Sequence, residues 1–382
     1  MRIGGNEIIV PDGKVYNVEK NIFYDTIQEA IDDADPGNTL LVGNGTFEEQ
    51  VTINKKNLIL KAQNEHGATI KAPAFTVRQA NLIPGNELGA GFTQEYYDWI
   101  IRVNAENVTI KGLKIEGYDG HYDGEKHRHS DGVWRGSAEG DVSRDIRRIG
   151  FFGILYYDGS SGVIENNKVS EIVGWATFGM KVNDAGVVMV QGNEINVPLY
   201  GNVGISAGDA TVEVNNNTIT GNDGSTHWSQ TGIQFSKGEG SANGNTVIDF
   251  RSGTSALSVG IMVVDEGEVE VIESNSVTNA DAAILVWNGD PAVTATVNYI
   301  TGNIFTDNER GIVFYPGSIY NHGNITSNSF VNTLSRHFLW FFWDLSPLPT
   351  VQELEAIILG NSFDAGVIHR SNANWADIVY GP

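Results

Sequence analysis

The sequence contains no cysteine and is poor in basic residues. With no cysteine among 382 residues, disulfide bonds and thiolate metal sites are excluded. The chain has 24 lysines and arginines against 47 aspartates and glutamates, which gives a net charge of −23. Binding to nucleic acid or to an anionic membrane needs basic side chains, so neither partner is expected.

Proline and long apolar stretches are also scarce. Ten prolines are too few for a disordered, proline-rich chain. The apolar run at 338–343 is far shorter than the ~18 residues that cross a bilayer. No signal-peptide core follows Met1, so either the protein stays in the cytoplasm or the sequence begins at a mature N-terminus. We expect a secreted or cell-surface protein.

What the sequence does have is a recurring asparagine, followed two positions later by an apolar residue. An asparagine side chain bonds nearby backbone groups and tolerates the left-handed region at turns, and stacked asparagines bond each other. Intervals of 24–33 residues suit one coil of three short strands and their turns. The recurrences centre on Asn167, Asn193, Asn217, Asn245, Asn275, Asn303, Asn328 and Asn361.

A second recurrence, a small residue followed by an apolar one, lies between the asparagines. We call the two recurrences the asparagine ladder and the second ladder, and they keep a constant order along the chain. They predict an all-β fold, a single-stranded right-handed parallel β-helix built of three-strand coils. The core of a solenoid grows along one axis, so residues 1–382 are expected to form a single β-helix domain. The pairs are Gly153-Ile154, Gly179-Met180, Gly204-Ile205, Gly232-Ile233, Gly260-Ile261, Ala283-Ile284 and Gly311-Ile312.

The two ends of the chain depart from this repeat. Apolar residues at helical spacing predict a capping helix over 24–35, with Thr26 and Glu29 at the spacing of a capping box. We expect its apolar face to plug the open end of the solenoid. Residues 336–382 are expected to form irregular coils and a second cap, with a short insertion at 350–355.

The stretches 24–42 and 45–53, which read YDTIQEAIDDADPGNTLLV and GTFEEQVTI, resemble the opening of pectin-lyase-like right-handed β-helix proteins. That superfamily implies polysaccharide lyases, hydrolases, epimerases and esterases, besides phage tailspikes and adhesins. The motifs of polygalacturonases, pectate lyases, pectinesterases and alginate epimerases are missing. The resemblance therefore implies a fold and transfers no catalytic residue.

One insertion, residues 118–149, dominates the chain and is predicted to be a long functional loop. It concentrates three of the eight histidines and six of the 24 basic residues, which suits an anionic substrate, although its own acids leave open a self-paired surface loop. Its substrate-binding candidates are Tyr118, His121, Tyr122, Lys126, Arg128, Trp134 and Arg144.

Later coils add aromatic and basic residues at the same point of the repeat, where they would stack beside this loop. Aromatic rings in a row suit the apolar faces of sugars, and packing of turn residues is the alternative. The residues are Trp175, Tyr200, His227, Trp228 and Arg251, with Asn183 on the neighbouring strand.

Removal of the C5 proton of a uronate needs a cation near the carboxylate and a base. Lys181, Arg147 and Arg148 suit the first role, and His127, His129, Lys181 or Tyr157 the second; Asp158 is a further catalytic candidate. The metal candidates are Asp119, Asp123 and Asp131, because Ca²⁺ prefers carboxylates. We expect either no cofactor or Ca²⁺.

Outward positions on the glycine–isoleucine strand become apolar toward the C-terminus. An exposed apolar patch commonly marks an interface, so we expect a homo-oligomer, with cover by a loop or by the C-terminal tail as the alternative. The patch comprises Met262, Val264, Leu285, Trp287, Val313 and Tyr315.

The leading hypothesis is a carbohydrate-active enzyme that binds an acidic polysaccharide or oligosaccharide in a lateral groove and acts as a lyase or C5-epimerase. A glycoside hydrolase or transglycosylase on the same face is the first alternative, with Asp123, Asp131, Asp158 and Asp184 as candidate acids. A non-catalytic adhesin, surface or tailspike-like binder is the second.

Overall fold

The structure, a computed structural model, describes backbone and side chains for most of the chain. These ranges are 9–73, 99–117, 151–172, 177–198, 202–223, 229–252, 257–288, 293–315, 324–332 and 356–363, with Ser318 and Gln352. Backbone alone is described for several short strands outside them. The chain divides into two compact units, unit 1 (Met1–Gly201) and unit 2 (Asn202–Pro382), each a right-handed parallel β-helix. That the whole chain forms one domain stays a prediction.

Unit 1 winds through three parallel sheets, visited in turn by each coil. The first sheet contains Val51–Ile53, Gln94–Val103, Ile146–Tyr156 and Thr177–Asn183, with Gln79–Ala80 antiparallel at its side. The second contains Thr39–Val42, Ile59–Ala62, Val108–Lys111, Gly162–Glu165 and Val187–Gln191, and it is extended at its N-terminal edge by Val15–Asn17 and Ile22–Tyr24, which pair antiparallel. The third contains Gly45–Glu48, Ala68–Lys71, Lys114–Glu116, Lys168–Ser170 and Glu194–Asn196. Two antiparallel hairpins, Arg2–Ile3 with Asn6–Glu7 and Lys126–Arg128 with Trp134–Gly136, stand apart from the sheets.

Unit 2 repeats the same arrangement. Its first sheet contains Val203–Gly208, Thr231–Ser236, Val259–Val264, Ala282–Trp287, Arg310–Phe314 and His337–Phe341. Its second contains Thr211–Asn215, Glu239–Asn243, Glu268–Glu273, Ala295–Thr301, Ser318–Tyr320 and Ile325–Thr326. Its third contains Thr218–Thr220, Thr246–Phe250, Ser276–Ala280, Ile304–Thr306, Ser329–Val331 and Ser362–Phe363. Ile368–His369 pairs with Ile378–Val379 in a separate hairpin.

The asparagine ladder is confirmed and joins successive coils. In unit 1, Asn167 Nδ2 donates to Asn193 Oδ1 at 3.1 Å. In unit 2 the bonds run from Asn217 to Asn245 at 3.0 Å and onward through Asn275, Asn303 and Asn328 to Asn361. Each ladder asparagine but the last is at most 1% exposed, so these amides satisfy one another inside the protein.

The ladder asparagine was expected to take the left-handed backbone conformation of the turn, but in the coils from Asn167 to Asn328 the residue before it does so. Asn166, Asn216, Ser274 and Ser327 have φ values of 52–58°, and glycines take this place in other coils. The ladder asparagine itself stands immediately before the next strand, where its amide reaches the carbonyl of the preceding coil, as Asn245 Nδ2 does to Val214 O at 2.8 Å.

The small residues of the second ladder are required by space. A Cβ on Gly153 would lie 2.5 Å from the carbonyl oxygen of Gly179, and one on Gly232 would lie 2.6 Å from that of Gly260. These backbones approach so closely that only a hydrogen fits, and the following apolar residues, such as Ile154 and Ile233, are fully buried.

A helix, α1, runs from Ile27 to Asp33 and is shorter than the predicted range 24–35, because Tyr24 belongs to a strand. Thr26 is the N-cap, as predicted, and its side chain accepts a hydrogen bond from Glu29 N at 3.1 Å. Glu49 adds a contact that the sequence did not reveal, since its carboxylate accepts from Ile27 N and Gln28 N at 2.8 and 2.9 Å. Both bonds satisfy donors that a helix start leaves open.

A second helix, α2, runs from Val351 to Gly360, and most of the expected short insertion at 350–355 is the first half of this helix. Ile357 and Ile358 are buried whereas Leu359 is exposed. In the described part of the chain, neither helix has the length and apolar character needed to span a membrane.

The predicted exposed apolar patch on unit 2 is largely buried, which corrects that expectation. Leu285 and Val313 pack with Val259 and Ala282 into a hydrophobic cluster against which Met262 and Tyr315 lie. Val264 is 2% exposed, and of the six residues only Trp287 is well exposed, at 41%. Self-association through these residues stays a prediction, with Trp287 as its exposed part.

Candidate functional site

The outer side of the first sheet of unit 1 carries two cations, Arg102 and Lys181. They lie in two coils that are separated by one coil, and Leu155 of that middle coil lies between them. In the strand register, Arg102 pairs with Leu155 and Leu155 with Lys181. Strands lie ~4.8 Å apart, so the backbones of the two cations are roughly 10 Å apart. The same register aligns three aromatic residues beside this row, Trp99, Phe152 and Phe178.

Aromatic rings pack against both cations. The Arg102 guanidinium carbon lies 5.0 Å from the centre of the Trp99 ring and 5.7 Å from that of Tyr157. Lys181 Nζ lies 5.1 Å from the centre of the Phe178 ring, which stacks on Phe152 at 5.5 Å. Such contacts attract a cation to the electron-rich ring face and partly replace its lost hydration.

Arg102 is oriented by its neighbours and stays charged. It is 9% exposed, and its Nε donates to Asn104 Oδ1 at 2.7 Å. Burial lowers the pKa of Arg102, opposed by the charges of Tyr157 and Asp158, but a guanidinium still retains its proton in a protein. The site therefore holds a fixed positive charge.

Tyr157 stands at the edge of this cluster, next to an acidic turn. Burial, followed by the charges of Asp184 and Asp158, raises its pKa, and Arg102 opposes this rise. A phenol with a raised pKa keeps its proton at neutral pH, so the Tyr157 side chain is neutral there. Asp158 and Asp184 are both exposed and both have left-handed backbones, with φ of 59° and 47°.

Four predicted site residues fall in this region: Lys181, Tyr157, Asp158 and Asn183. Lys181 and Asn183 share one strand and are 8% and 5% exposed. The turn at 157–158 follows the neighbouring strand, whose Tyr156 pairs with Val182. Their catalytic and binding roles stay predictions.

The backbones of Arg147 and Arg148 lie farther from Lys181 than their predicted place in a loop implied. The strand Ile146–Tyr156 is continuous and includes the last residues of the expected loop 118–149. Arg148 and Leu155 are seven positions apart, which at ~3.3 Å per position is roughly 20 Å along the strand. A role for these arginines beside Lys181 stays a prediction, and it requires this distance to be spanned.

Most other candidates are described by backbone alone or not at all. Lys126, His127, Arg128 and Trp134 belong to the hairpin Lys126–Arg128 with Trp134–Gly136, in which His127 pairs with Arg135. Arg251 is in unit 2, where its Nη2 donates to the Asp307 carbonyl. The following lie outside the described residues: Tyr118, Asp119, His121, Tyr122, Asp123, His129, Asp131, Arg144, Trp175, Tyr200, His227 and Trp228.

No group of three or more potential metal ligands occurs within the described ranges. The three aspartates proposed for Ca²⁺ lie outside those ranges, so the Ca²⁺ site stays a prediction.

Sequence reasoning missed Trp99 and Arg102. The sequence signal is the match between Trp99-Ile-Ile-Arg102 and Phe152-Gly-Ile-Leu155, two stretches that pair in the sheet. In each stretch, two outward residues lie on either side of an inward isoleucine, Ile101 or Ile154. The match was overlooked because Ile100 replaces the small residue of the ladder.

Comparison with known proteins finds similarity in structure only. No family model and no curated protein sequence matches the chain. A pectin methylesterase from Yersinia enterocolitica matches with a TM-score of 0.42 and 14% identity, over 88% of this chain and 97% of that one. The GH136 lacto-N-biosidase from Eubacterium ramulus gives 0.46 and 12%, over 88% and 64%. Tailspike protein 2 from Escherichia coli O157:H7 bacteriophage CAB120 gives 0.44 and 11%, over 83% and 40%. These identities transfer no residue role.

Proposed function

We propose that this protein binds an acidic polysaccharide on the outer side of the first sheet of unit 1 and acts on it as a lyase or C5-epimerase. The observation that carries the proposal is the pair Arg102 and Lys181, two cations held against aromatic rings in a chain of net charge −23. Cations beside aromatic rings suit an acidic sugar, because a carboxylate pairs with a cation and apolar sugar faces pack on aromatic rings.

The chemistry follows from the acidity of the C5 proton of a uronate. A cation at the carboxylate stabilises the charge that develops when a base removes this proton. In a lyase, the C5–H electron pair forms the C4–C5 double bond, the C4–O bond breaks and the leaving oxygen takes a proton. In an epimerase, a proton returns to C5 from the opposite face. Tyr157 carries a proton at neutral pH and so could donate it in either case, and Lys181 suits carboxylate neutralisation or proton removal.

A panel of polygalacturonate, alginate and hyaluronan tests the proposal. A lyase raises ultraviolet absorbance through the new double bond, and an epimerase incorporates solvent deuterium at C5. Release of reducing ends without either signal would replace the proposal by a hydrolase. Retention on a polysaccharide gel without turnover would replace it by a binder, and no binding to any of the three would refute an acidic-polysaccharide function.

The role of Lys181 is tested by comparing Lys181→Met with Lys181→Arg. Methionine keeps the length and apolar stem but removes the charge, and loss of a charge that stabilises a transition state costs roughly 10²–10³-fold in turnover. Arginine keeps the charge and should retain more turnover than methionine if Lys181 neutralises the carboxylate. Equal activity of both variants and the wild type would remove Lys181 from the site.

A hydrolase is the second candidate, supported by the acidic turn. Asp158 and Asp184 follow the paired residues Tyr156 and Val182 by two positions, and Gly159 N donates to the Asp184 carbonyl at 2.7 Å. Neighbouring strands lie about 4.8 Å apart, and retaining glycosidases use carboxyl groups roughly 5–5.5 Å apart. Loss of reducing-end release in both Asp158→Asn and Asp184→Asn would favour this function.

A further inference from the structure

The second sheet of unit 2 contains an extra residue, Glu270. Two adjacent residues of one strand, Gly240 and Ser241, pair with Val269 and Val271 of the next, so Glu270 is inserted between paired positions. Such a β-bulge redirects side chains, and bulges are over-represented beside functional sites. The outer side of the sheet at this point therefore differs from that of a regular coil.

The following strand, Ala295–Thr301, keeps the extra residue, so that Asn298 lies beside Glu270 and Tyr299 beside Val271. Asn298 and Tyr299 are consecutive and both exposed, whereas a regular strand turns successive side chains to opposite faces. Glu270 is exposed too, and it accepts a hydrogen bond from Asn298 Nδ2 at 2.7 Å. Tyr299 is 44% exposed. The bulge thus gathers a carboxylate, an amide and an aromatic ring on one outer surface.

The hydrogen-bonding character of these groups indicates what they would bind. The Glu270 carboxylate only accepts, whereas the Asn298 amide and the Tyr299 hydroxyl both donate and accept. A sugar hydroxyl also donates and accepts, and the apolar face of a sugar ring buries well on an aromatic ring. A cation offers donors alone and would leave the donors of Asn298 and Tyr299 unused.

The charge of this sheet argues against an acidic sugar. Its strands Thr211–Asn215, Glu239–Asn243, Glu268–Glu273 and Ala295–Thr301 contain no lysine or arginine. Their charged residues are all glutamates, which would repel an anion: Glu213, Glu239, Glu268, Glu270 and Glu273.

We infer that Glu270, Asn298 and Tyr299 form a binding site for a neutral saccharide on the second sheet of unit 2. The Tyr299 ring packs on the apolar face of one sugar, and the Glu270 carboxylate accepts hydrogen bonds from its hydroxyls, which a charged acceptor strengthens. Asn298 orients that carboxylate. The inference does not rest on the proposed function, which concerns an acidic polysaccharide and unit 1.

Affinity electrophoresis of the full chain in native gels containing galactomannan, xyloglucan or dextran tests the inference. At least one of these neutral polysaccharides should retard the wild type. Tyr299→Thr removes the ring and keeps a residue that suits a strand, and it should weaken binding about tenfold or more, as loss of an aromatic anchor commonly does. Glu270→Gln keeps the shape and removes the charge, and it should weaken binding about tenfold.

Two matched variants serve as controls and should bind as the wild type does. Glu268→Gln removes an exposed charge from the same strand, outside the cluster. Trp287→Thr removes an exposed ring from the first sheet of the same unit.

Each other outcome overturns the inference. No retardation of the wild type by any of the three polysaccharides would show that the surface binds no such saccharide. Undiminished binding by Tyr299→Thr and Glu270→Gln would place the saccharide elsewhere, as would an equal loss in Trp287→Thr. An equal loss in Glu268→Gln would make the general charge of the sheet responsible. Should Tyr299→Thr fail to fold, the isosteric Glu270→Gln decides alone.

Discussion

Replacing a central asparagine of the ladder should destabilise unit 2 by an amount that can be worked out from its bonds. Asn275 is 1% exposed. Its Oδ1 accepts from Asn245 N and Nδ2, both at 2.9 Å, and its Nδ2 donates to Asn303 Oδ1 at 3.0 Å and to Ala242 O at 2.8 Å. In Asn275→Ala, these four bonds are lost together.

The groups bonded to Asn275 are affected unequally, because some keep another hydrogen bond and others do not. Asn245 Nδ2 keeps its bond to Val214 O at 2.8 Å, and Asn303 Oδ1 keeps the bond from the backbone of residue 275 at 2.9 Å. The backbone N–H of Asn245 and the Ala242 carbonyl each lose the amide of Asn275 in the protein interior. At roughly 1–3 kcal/mol for each of these two buried groups left unsatisfied, the expected loss is about 2–6 kcal/mol.

Urea unfolding followed by circular dichroism measures this loss. Asn298→Ala is the control, because the Asn298 side chain donates to Glu270 in an exposed position at 2.7 Å, and surface changes usually stay within about 0.5 kcal/mol. If Asn275→Ala loses no more stability than Asn298→Ala, the ladder bonds do not stabilise the fold as argued.

Three further outcomes are expected. Gly232→Ala places a Cβ 2.6 Å from a backbone oxygen and should lower the free energy of unfolding in urea by about 1–3 kcal/mol. The control is Gly186→Ala, whose Cβ meets nothing closer than 3.4 Å. Equal losses in the two variants would contradict this expectation. Thr26→Ala removes the N-cap bond of α1 and should cost about 0.5–2 kcal/mol in thermal unfolding, and an unchanged melting temperature would speak against it. Burial raises the pKa of Asp281 above that of an unfolded aspartate, although Ser258 N and Ser252 N bond its carboxylate and oppose the rise. The contribution of Asp281 to stability is therefore fully present below the unfolded pKa and lost as pH rises through the folded one. Asp281→Asn should then gain in melting temperature relative to the wild type between pH 4 and pH 8, and a difference that does not change with pH would refute this sign.

The interior of the β-helix could be predicted because every coil repeats the same neighbours. Asn217 and Asn245 meet another ladder asparagine above them, and Ile233 and Ile261 fill the same place in successive coils of unit 2. A residue type that suits one coil suits the next, so the requirement appears in the sequence as a period. The N-cap Thr26 could be predicted equally well, because it accepts a hydrogen bond from a residue only three positions away.

The site could be predicted only in part, because its contacts join residues far apart in sequence. Arg102 and Lys181 are aligned only through Leu155, and the strand that carries Arg102 lacks the small residue of the ladder. Glu49 was missed for the same reason, since it bonds the start of α1 from about 20 residues away. Lys181 was selected from its position beside an inward residue, which required only the local alternation of a strand.

The outer row of unit 1 is where packing ceases to dictate residue type. Inward positions of the first sheet, such as Ile154 and Met180, stay apolar from coil to coil, whereas the outward row changes from Arg102 to Leu155 to Lys181. Leucine shows that an apolar side chain is accepted in this row, and a buried cation costs desolvation free energy that leucine avoids. Positions that break a local rule without a packing reason are where function is to be sought. That comparison within one row, more than the number of basic residues in the insertion at 118–149, is the reason for proposing that Arg102 and Lys181 bind an anion.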